Sequence, residues 1–90
     1  MMVIWDPAKA QANLKKHHIS FEEAQTVLES DRQLILEDAD HEEQRFIALG
    51  FSIKANLLLV VYCYRMKDVV RIISARKATR KERKIYEERI

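Results

Sequence analysis

The feature that most constrains the fold is a change in the spacing of apolar residues near position 33. Before it, apolar side chains recur every three to four residues, as on an amphipathic helix. After it, short runs rich in β-branched and aromatic residues alternate with polar breaks, which indicates strands. These runs cover 33–37, 45–52, 57–64 and 69–75. The breaks are too short for crossover connections, so neighbouring strands are predicted to be antiparallel.

The start of the chain predicts a short strand followed by a helix. Residues 2–5 are apolar and suit a strand. Asp6 is a good N-cap, and Pro7 fits the first helical turn because its missing N–H would have no partner there. The helix is expected to run to about His17.

Two later segments have the pattern of a capping box, in which a Ser or Thr precedes a Glu three residues on. Ser20 and Glu23 predict a second helix that ends near residue 30. Thr79 and Glu82 predict a third helix at the end of the chain. The first two helices are separated by only a few residues and should form a helical hairpin.

The order of elements therefore indicates an α+β fold. It has a short N-terminal strand, a two-helix hairpin, an antiparallel sheet of about four strands and a C-terminal helix, with helices against one face of the sheet. The run 57–64 should be central and buried on both faces. No run reaches the ~20 apolar residues of a membrane span, and no signal peptide is visible. We expect one cytoplasmic domain, 1–90.

Charge is strongly segregated along the chain. Residues 20–46 hold nine acids and two bases, a net charge of −7, whereas residues 65–90 hold ten bases and four acids, a net charge of +6. Such asymmetry favours a basic face for phosphates, although a run of charges on a helix is often only a solvated face.

Arg71 is the most informative basic residue because it lies inside an apolar strand. A charge there needs a partner or an open groove. One alternative is an ion pair with an acid of residues 37–43; the other is phosphate binding together with Arg65, Arg76 and Arg80. If the strands pair through the turn near residues 66–67, these four arginines are expected to converge along one edge of the sheet. Arginine forks suit phosphate oxygens.

The remaining polar residues limit the possible chemistry. His17 could exchange protons near neutral pH, or simply complement the end of its helix. Three His and the single Cys63 lack the spacing of zinc ligands, and Cys63 is more typical of a small core residue. No Gly-rich phosphate loop is present. We expect no metal and no cofactor.

Two segments in particular resemble the BrnT family of bacterial toxins. One is Trp5-Asp6-Pro7-Ala8-Lys9 with Asn13, Lys16, His17 and 19–24; the other is 71–80 with Glu82, Arg83 and Tyr86. Residues 40–42, Arg45-Phe46 and 60–62 are also similar to the family. The chain departs from it at His18, where the family usually has a Gly that stops the helix. We therefore expect either that His18 adopts a positive φ with some strain or that the turn differs from the family's.

The resemblance implies a RelE/ParE-like fold and ribonuclease activity. It also implies neutralisation by a BrnA-type antitoxin, a ribbon-helix-helix protein through which alone the toxin would reach operator DNA. For metal-independent cleavage by the ribose 2′-OH, we assign catalytic roles to Lys16, His17, Arg65, Arg71, Arg76 and Arg80. We assign RNA binding to Lys77, Lys81 and Tyr86. The alternatives are a toxin that poisons a protein target, as ParE-like proteins do, and a basic nucleic-acid-binding or corepressor module.

Overall fold

The computed structural model describes residues 1–38 and 44–90. Three helices and five strands follow one another in the predicted order. They are β1 (Met2–Ile4), α1 (Pro7–His17), α2 (Phe21–Leu28), β2 (Leu34–Asp38), β3 (Arg45–Phe51), β4 (Leu57–Met66), β5 (Val69–Lys77) and α3 (Arg80–Arg89). The α+β prediction is confirmed; α2 ends two residues earlier than expected, and β4 and β5 each extend two residues further.

The sheet has the strand order β1-β5-β4-β3-β2. Strands β2 to β5 pair antiparallel, as predicted, and β4 is central. The N-terminal strand adds a fifth member, because β1 pairs parallel with the first half of β5, from Met2 opposite Val69 to Ile4 opposite Arg71. The sheet is therefore mixed, and β1 pairs with only the first half of the outer edge of β5.

Two irregularities interrupt the pairing of β4 with β5. Val61 pairs with Ser74 but Tyr62 pairs with Ile72, so Ile73 is an extra residue on β5. Near the turn, Tyr64 pairs with Val70 and Met66 with Val69, which leaves Arg65 as an extra residue on β4. Bulges of this kind bend a strand and redirect its side chains.

The helices lie on both faces of the sheet, whereas the sequence predicted one face. On one face, α1 and α2 cover Ala48, Val60 and Ile72, with Phe21 fully buried between them. On the other face, Tyr86 of α3 packs against Leu49, Leu57 and Leu59, which alternate with the first set along β3 and β4. The prediction was wrong because the side chains of β4 are apolar on both faces of the sheet. The sequence of β4 therefore does not indicate which face a helix covers.

The helix caps explain where the helices begin. Asp6 accepts a hydrogen bond from Ala8 N–H (3.0 Å), and Thr79 with Glu82 forms the complete capping box. The box predicted at α2 is only half formed. The Ser20 hydroxyl accepts from Glu23 N–H (3.0 Å), but the Glu23 carboxylate is buried and accepts from the Ser52 hydroxyl (2.6 Å) and an Asn56 amide.

Of the two alternatives at His18, the structure has the positive φ. His18 ends α1 with φ 61° and ψ 25°, and its N–H donates to Leu14 C=O (2.9 Å). A residue with a Cβ adopts this left-handed conformation at some cost. The same geometry occurs at Asp68 (φ 64°), in the turn between β4 and β5.

Candidate active site at the edge of strand β5

A pocket of about 240 Å³ lies between α1 and the outer edge of β5. From the helix it is lined by Lys9, Lys16 and His17, and from the strand by Ile73 and Ser74. Ala12 and Asn13 complete the wall. The pocket contains both residues that the sequence proposed for proton transfer, Lys16 and His17. We refer to it as the β5-edge pocket.

The pocket exists because β5 changes its neighbour. Pairing with β1 stops at Arg71. Further along β5, the side-chain amide of Asn13 makes the hydrogen bonds that a neighbouring strand would make. Its Nδ2 donates to Ala75 C=O (2.8 Å), and its Oδ1 accepts from Ala75 N–H (3.0 Å). The bulge at Ile73 lies between these two regions. The part of the β5 edge that lies between β1 and Asn13 therefore pairs with neither of them and faces α1 across an open pocket.

Helix α1 presents its polar face to this edge. Lys9, Asn13 and Lys16 are spaced at intervals of four and three residues, which places them on one side of a helix. Asn13 is buried and fixes the helix to the strand, whereas Lys9 and Lys16 are exposed and His17 is half-buried. The basic groups therefore line a wall whose position is set by a buried amide.

Arg71 lies on β5 just before the pocket. It is half-buried, and it has no hydrogen-bond or ion-pair partner among the side chains of residues 1–37 and 44–90. The side chains of residues 38–43, which supplied most of the ion-pair partners considered from the sequence, lie outside the described residues. An unpaired guanidinium on a strand keeps its fork of donors available for an anion.

Arg76 lies on the other side of the pocket and is already paired. Its two terminal nitrogens donate to the two carboxylate oxygens of Glu82 (2.8 and 2.9 Å). Glu82 also accepts from Thr79 N–H (2.9 Å). These bonds lower the pKa of Glu82 to about 2, chiefly through the Arg76 hydrogen bond, and they raise the pKa of Arg76. In the free protein, Arg76 fastens the start of α3 to β5.

This pairing predicts a specific pH dependence of stability. The pKa of Glu82 falls from 4.5 to about 2 on folding, so its contribution is complete above pH 4.5 and is lost as the pH falls towards 2. Because the side chains are 38% and 23% exposed, solvent screening reduces the contribution to about 1 kcal/mol. We expect the free energy of unfolding of wild type, measured in urea at pH 6, to exceed that of Glu82→Gln by this amount. The difference should shrink between pH 4.5 and 2 and vanish below pH 2. A difference that persists at low pH would contradict the assignment.

The residues assigned to RNA binding are placed differently from one another. Lys77 and Lys81 are exposed around the junction of β5 and α3, and Arg80, to which the sequence analysis assigned a catalytic role, is exposed beside them. The role in RNA binding predicted for Tyr86 does not agree with its position. Tyr86 is 6% exposed, packs edge-on against Phe51, and donates its hydroxyl hydrogen bond to Arg32 C=O (2.7 Å). A base cannot stack on this ring, which instead anchors α3 to the sheet.

The expectation that all four arginines converge is also corrected. Arg65 lies beside the turn that links β4 to β5, whereas Arg76 pairs with Leu59 near the other end of β4. Six residues of strand separate Leu59 from Arg65, about 20 Å at 3.3 Å per residue. The two guanidinium groups therefore lie at opposite ends of the strand pair, with Arg71 between them.

Two residues that line the pocket, and one that shares a sheet face with Arg71, were not predicted from the sequence. Lys9 and Ser74 line the β5-edge pocket, and Arg45 lies on the same sheet face as Arg71. The helical spacing of Lys9 from Lys16 was a usable signal. Ser74 and Arg45 had none, because their positions depend on the bulge and on the strand register. Within the described residues no group of three or more His, Cys, Asp or Glu side chains could hold a metal ion.

Comparison with known proteins agrees with this architecture. Residues 5–82 match the family model described as the ribonuclease toxin BrnT of type II toxin–antitoxin systems. The crystal structure of the Brucella abortus ribonuclease toxin BrnT is similar to this chain with a TM-score of 0.69 and 25% identity, covering 89% of this chain and 100% of that one. A comparison with curated proteins gives no match.

In the part of the chain that the structure describes, no helix has the length and apolarity needed to cross a membrane. The matched region runs from the residue after β1 to the first turn of α3 and includes every residue that lines the β5-edge pocket. The chain therefore belongs to the BrnT family, the ribonuclease toxins of type II toxin–antitoxin systems.

Proposed function

We propose that this chain is itself an endoribonuclease, and that it cleaves RNA at the β5-edge pocket without a metal ion. The observation that carries the proposal is the convergence of Lys9, Lys16 and His17 on an open strand edge. Arg71 lies on that same strand, two residues before the pocket-lining Ile73, with no partner among the described residues. A site of this composition suits a phosphodiester anion.

The proposed reaction is an internal transesterification. The ribose 2′-oxygen attacks the adjacent phosphorus as its proton passes to a base, and the bond from phosphorus to the 5′-oxygen breaks as that oxygen receives a proton. The products are a 2′,3′-cyclic phosphate and a 5′-hydroxyl. The protein must supply a base, an acid and a stabiliser for the negative charge of the phosphorane.

Lys16 and His17 are the proposed acid and base, because both line the pocket. Arg71 is the proposed stabiliser, because it lies two residues before the pocket-lining Ile73 and has no partner among the described side chains. Arg76 acts as a positioning residue through Glu82, which holds the start of α3 against β5. Lys77, Arg80 and Lys81 are exposed beyond it and are proposed to bind the RNA backbone, whereas Arg65 lies too far along β4 to share the cleaved phosphate.

The proposal of metal independence is supported by the kind of side chains in the pocket. Its lining includes two lysines and a histidine and no carboxylate. Magnesium sites use oxygen ligands, usually carboxylates, whereas cationic side chains bind the phosphate directly. Cleavage in excess EDTA is the corresponding expected result.

Membership of a type II system implies an antitoxin partner. We propose that this partner is a BrnA-type ribbon-helix-helix protein and that operator DNA is reached only through it. A partner that binds the folded toxin also raises its apparent stability by mass action. The toxin should therefore unfold at a higher temperature in the complex than alone.

The test is induced expression in bacteria, with total RNA mapped for new 5′ ends. We expect growth arrest and new RNA ends, both lost on Lys16→Ala/His17→Ala double substitution and both relieved by co-expression of the antitoxin. Arrest with intact RNA would favour a protein target instead. Absence of arrest would leave a nucleic-acid-binding or corepressor role.

A further inference from the structure

One half of the sheet face that carries α3 is not covered by the helix. Tyr86 packs on the half that contains Leu49, Leu57 and Leu59. Ile47 and Val61 still pack against the covered half, and the other half contains the residues that follow them in the alternation on β3 and β4, together with their neighbour on β5. These are Arg45, Cys63 and Arg71.

The strand register places these three residues in one row. Cys63 pairs with Arg71 across β4 and β5. Phe46 pairs with Tyr62 across β3 and β4, so Arg45 lies beside Cys63 on the other side. Because paired residues on neighbouring strands are about 5 Å apart, the Cα atoms of Arg45 and Arg71 are about 10 Å apart, with a fully buried thiol between them.

Neither arginine in this row has a hydrogen-bond or ion-pair partner among the side chains of residues 1–37 and 44–90. The Nε of Arg45 is buried and makes no hydrogen bond, which is uncommon for a polar atom taken out of water. A buried, unsatisfied donor of a charged group is unfavourable in the free protein, and an anion that accepts from it removes that penalty. The row therefore places two guanidinium groups on the same sheet face, neither with a partner among the described side chains.

We propose that Arg45 and Arg71 form a phosphate subsite on this face, which holds the RNA backbone next to the phosphodiester cleaved in the β5-edge pocket. The inference rests on the proposed ribonuclease function and adds to it the path of the substrate. The RNA crosses the sheet from β3 to β5. Arg71 contacts the reacting phosphate, and Arg45 binds a neighbouring phosphate. Arg45 thus binds substrate and takes no part in proton transfer.

The experiment compares wild type, Arg45→Gln and Arg32→Gln in binding a short RNA with a 2′-deoxy ribose at the cleavage position, titrated with KCl. Arg32 is exposed in the loop before β2 and serves as a matched loss of one arginine. We expect Arg45→Gln to weaken binding about tenfold and to reduce the salt slope by about 0.7–1. We expect Arg32→Gln to change neither. On cleavable RNA, Arg45→Gln should raise KM with kcat within about twofold.

A purely structural role for Arg45 gives a different result. In that case Arg45→Gln would lower Tm and leave the salt slope equal to that of Arg32→Gln, and the subsite would be overturned. The phosphate-binding proposal instead predicts an unchanged or higher Tm for Arg45→Gln and for Arg45→Met, because an unpaired buried donor is removed.

Failure of the subsite and failure of the ribonuclease proposal are distinguishable. If wild type cleaves RNA and Arg45→Gln matches it in binding and KM, only the subsite fails. If wild type binds the RNA in an Arg45-dependent manner but never cuts the unmodified strand, only the ribonuclease proposal fails. If wild type does not bind RNA at any salt concentration, both fail.

Discussion

Replacing Arg71 by Gln is expected to lower the rate of RNA cleavage by about 10²–10³-fold, the usual loss when one donor to the developing charge is removed. The guanidinium lies on β5 two residues before the pocket wall at Ile73, half-buried and with no partner in the described parts of the chain. Gln has a similar apolar stem but no charge and no planar fork of donors. The loss should appear in kcat, because the charge on the phosphorane is greatest in the transition state.

The same substitution should leave stability unchanged or slightly higher, since no ion pair is broken. The matched control is Arg89→Gln, an exposed arginine in the last turn of α3, which should cleave RNA at the wild-type rate. Both are assayed with purified protein in EDTA, on RNA with and without a single 2′-deoxy ribose at the cleavage position. Cleavage of the deoxy strand by wild type would exclude 2′-OH attack. Wild-type kcat in Arg71→Gln would remove Arg71 from the site.

Local signals in the sequence predicted the elements of the fold well. Asp6-Pro7 and Thr79 with Glu82 act within one helical turn, so their effect can be read without knowing the rest of the structure. The side of the sheet on which α3 packs could not be predicted in this way. It depends on whether Leu49 and Leu59 or Ala48 and Val60 face it, and each set is equally apolar.

The candidate site was predictable only where it follows a single element. The helical spacing of Lys9, Asn13 and Lys16 indicates a common face, but only the structure shows that Asn13 binds the backbone of a strand 62 residues away. The bulge at Ile73 and the parallel pairing of β1 decide which strand edge stays open. Both depend on register between distant segments, and a register has no local signature when the strands are apolar on both faces.

The charge pattern had the same limit. The basic excess after residue 65 predicted a basic face for phosphates, but it treated all arginines alike. Arg76 is committed to Glu82, whereas Arg71 and Arg45 are uncommitted among the described residues. These differences arise from which carboxylate happens to be within reach in three dimensions. A substitution at Arg76, which the sequence alone would favour as a first test, would also loosen α3 and so would confuse catalysis with folding.

Replacing Asn13 by Ala is expected to lower the free energy of unfolding by about 3 kcal/mol, which is a large share of the stability of a 90-residue chain. The buried amide makes three hydrogen bonds: Nδ2 donates to the C=O groups of Ile19 (2.9 Å) and Ala75 (2.8 Å), and Oδ1 accepts from Ala75 N–H (3.0 Å). Truncation leaves all three backbone groups without that partner. At about 4–8 °C per kcal/mol, Tm should fall by about 15 °C.

The loss of the Asn13 amide should also lower the rate of RNA cleavage, because this amide fixes α1 to β5 across the pocket. We expect Asn13→Ala to cleave RNA more slowly even at temperatures at which it is fully folded, since Lys16 and His17 would no longer be held opposite Ser74. The control is Gln11→Ala on the exposed side of the same helix, which should change Tm by no more than a few degrees.

Asn13→Asp is a stricter test than truncation. It keeps the acceptor for Ala75 N–H but places a carboxylate oxygen against two carbonyl groups, so it should be at least as destabilising as Asn13→Ala. If Asn13→Asp matches wild type in Tm and in cleavage rate, the amide is not what holds the site together.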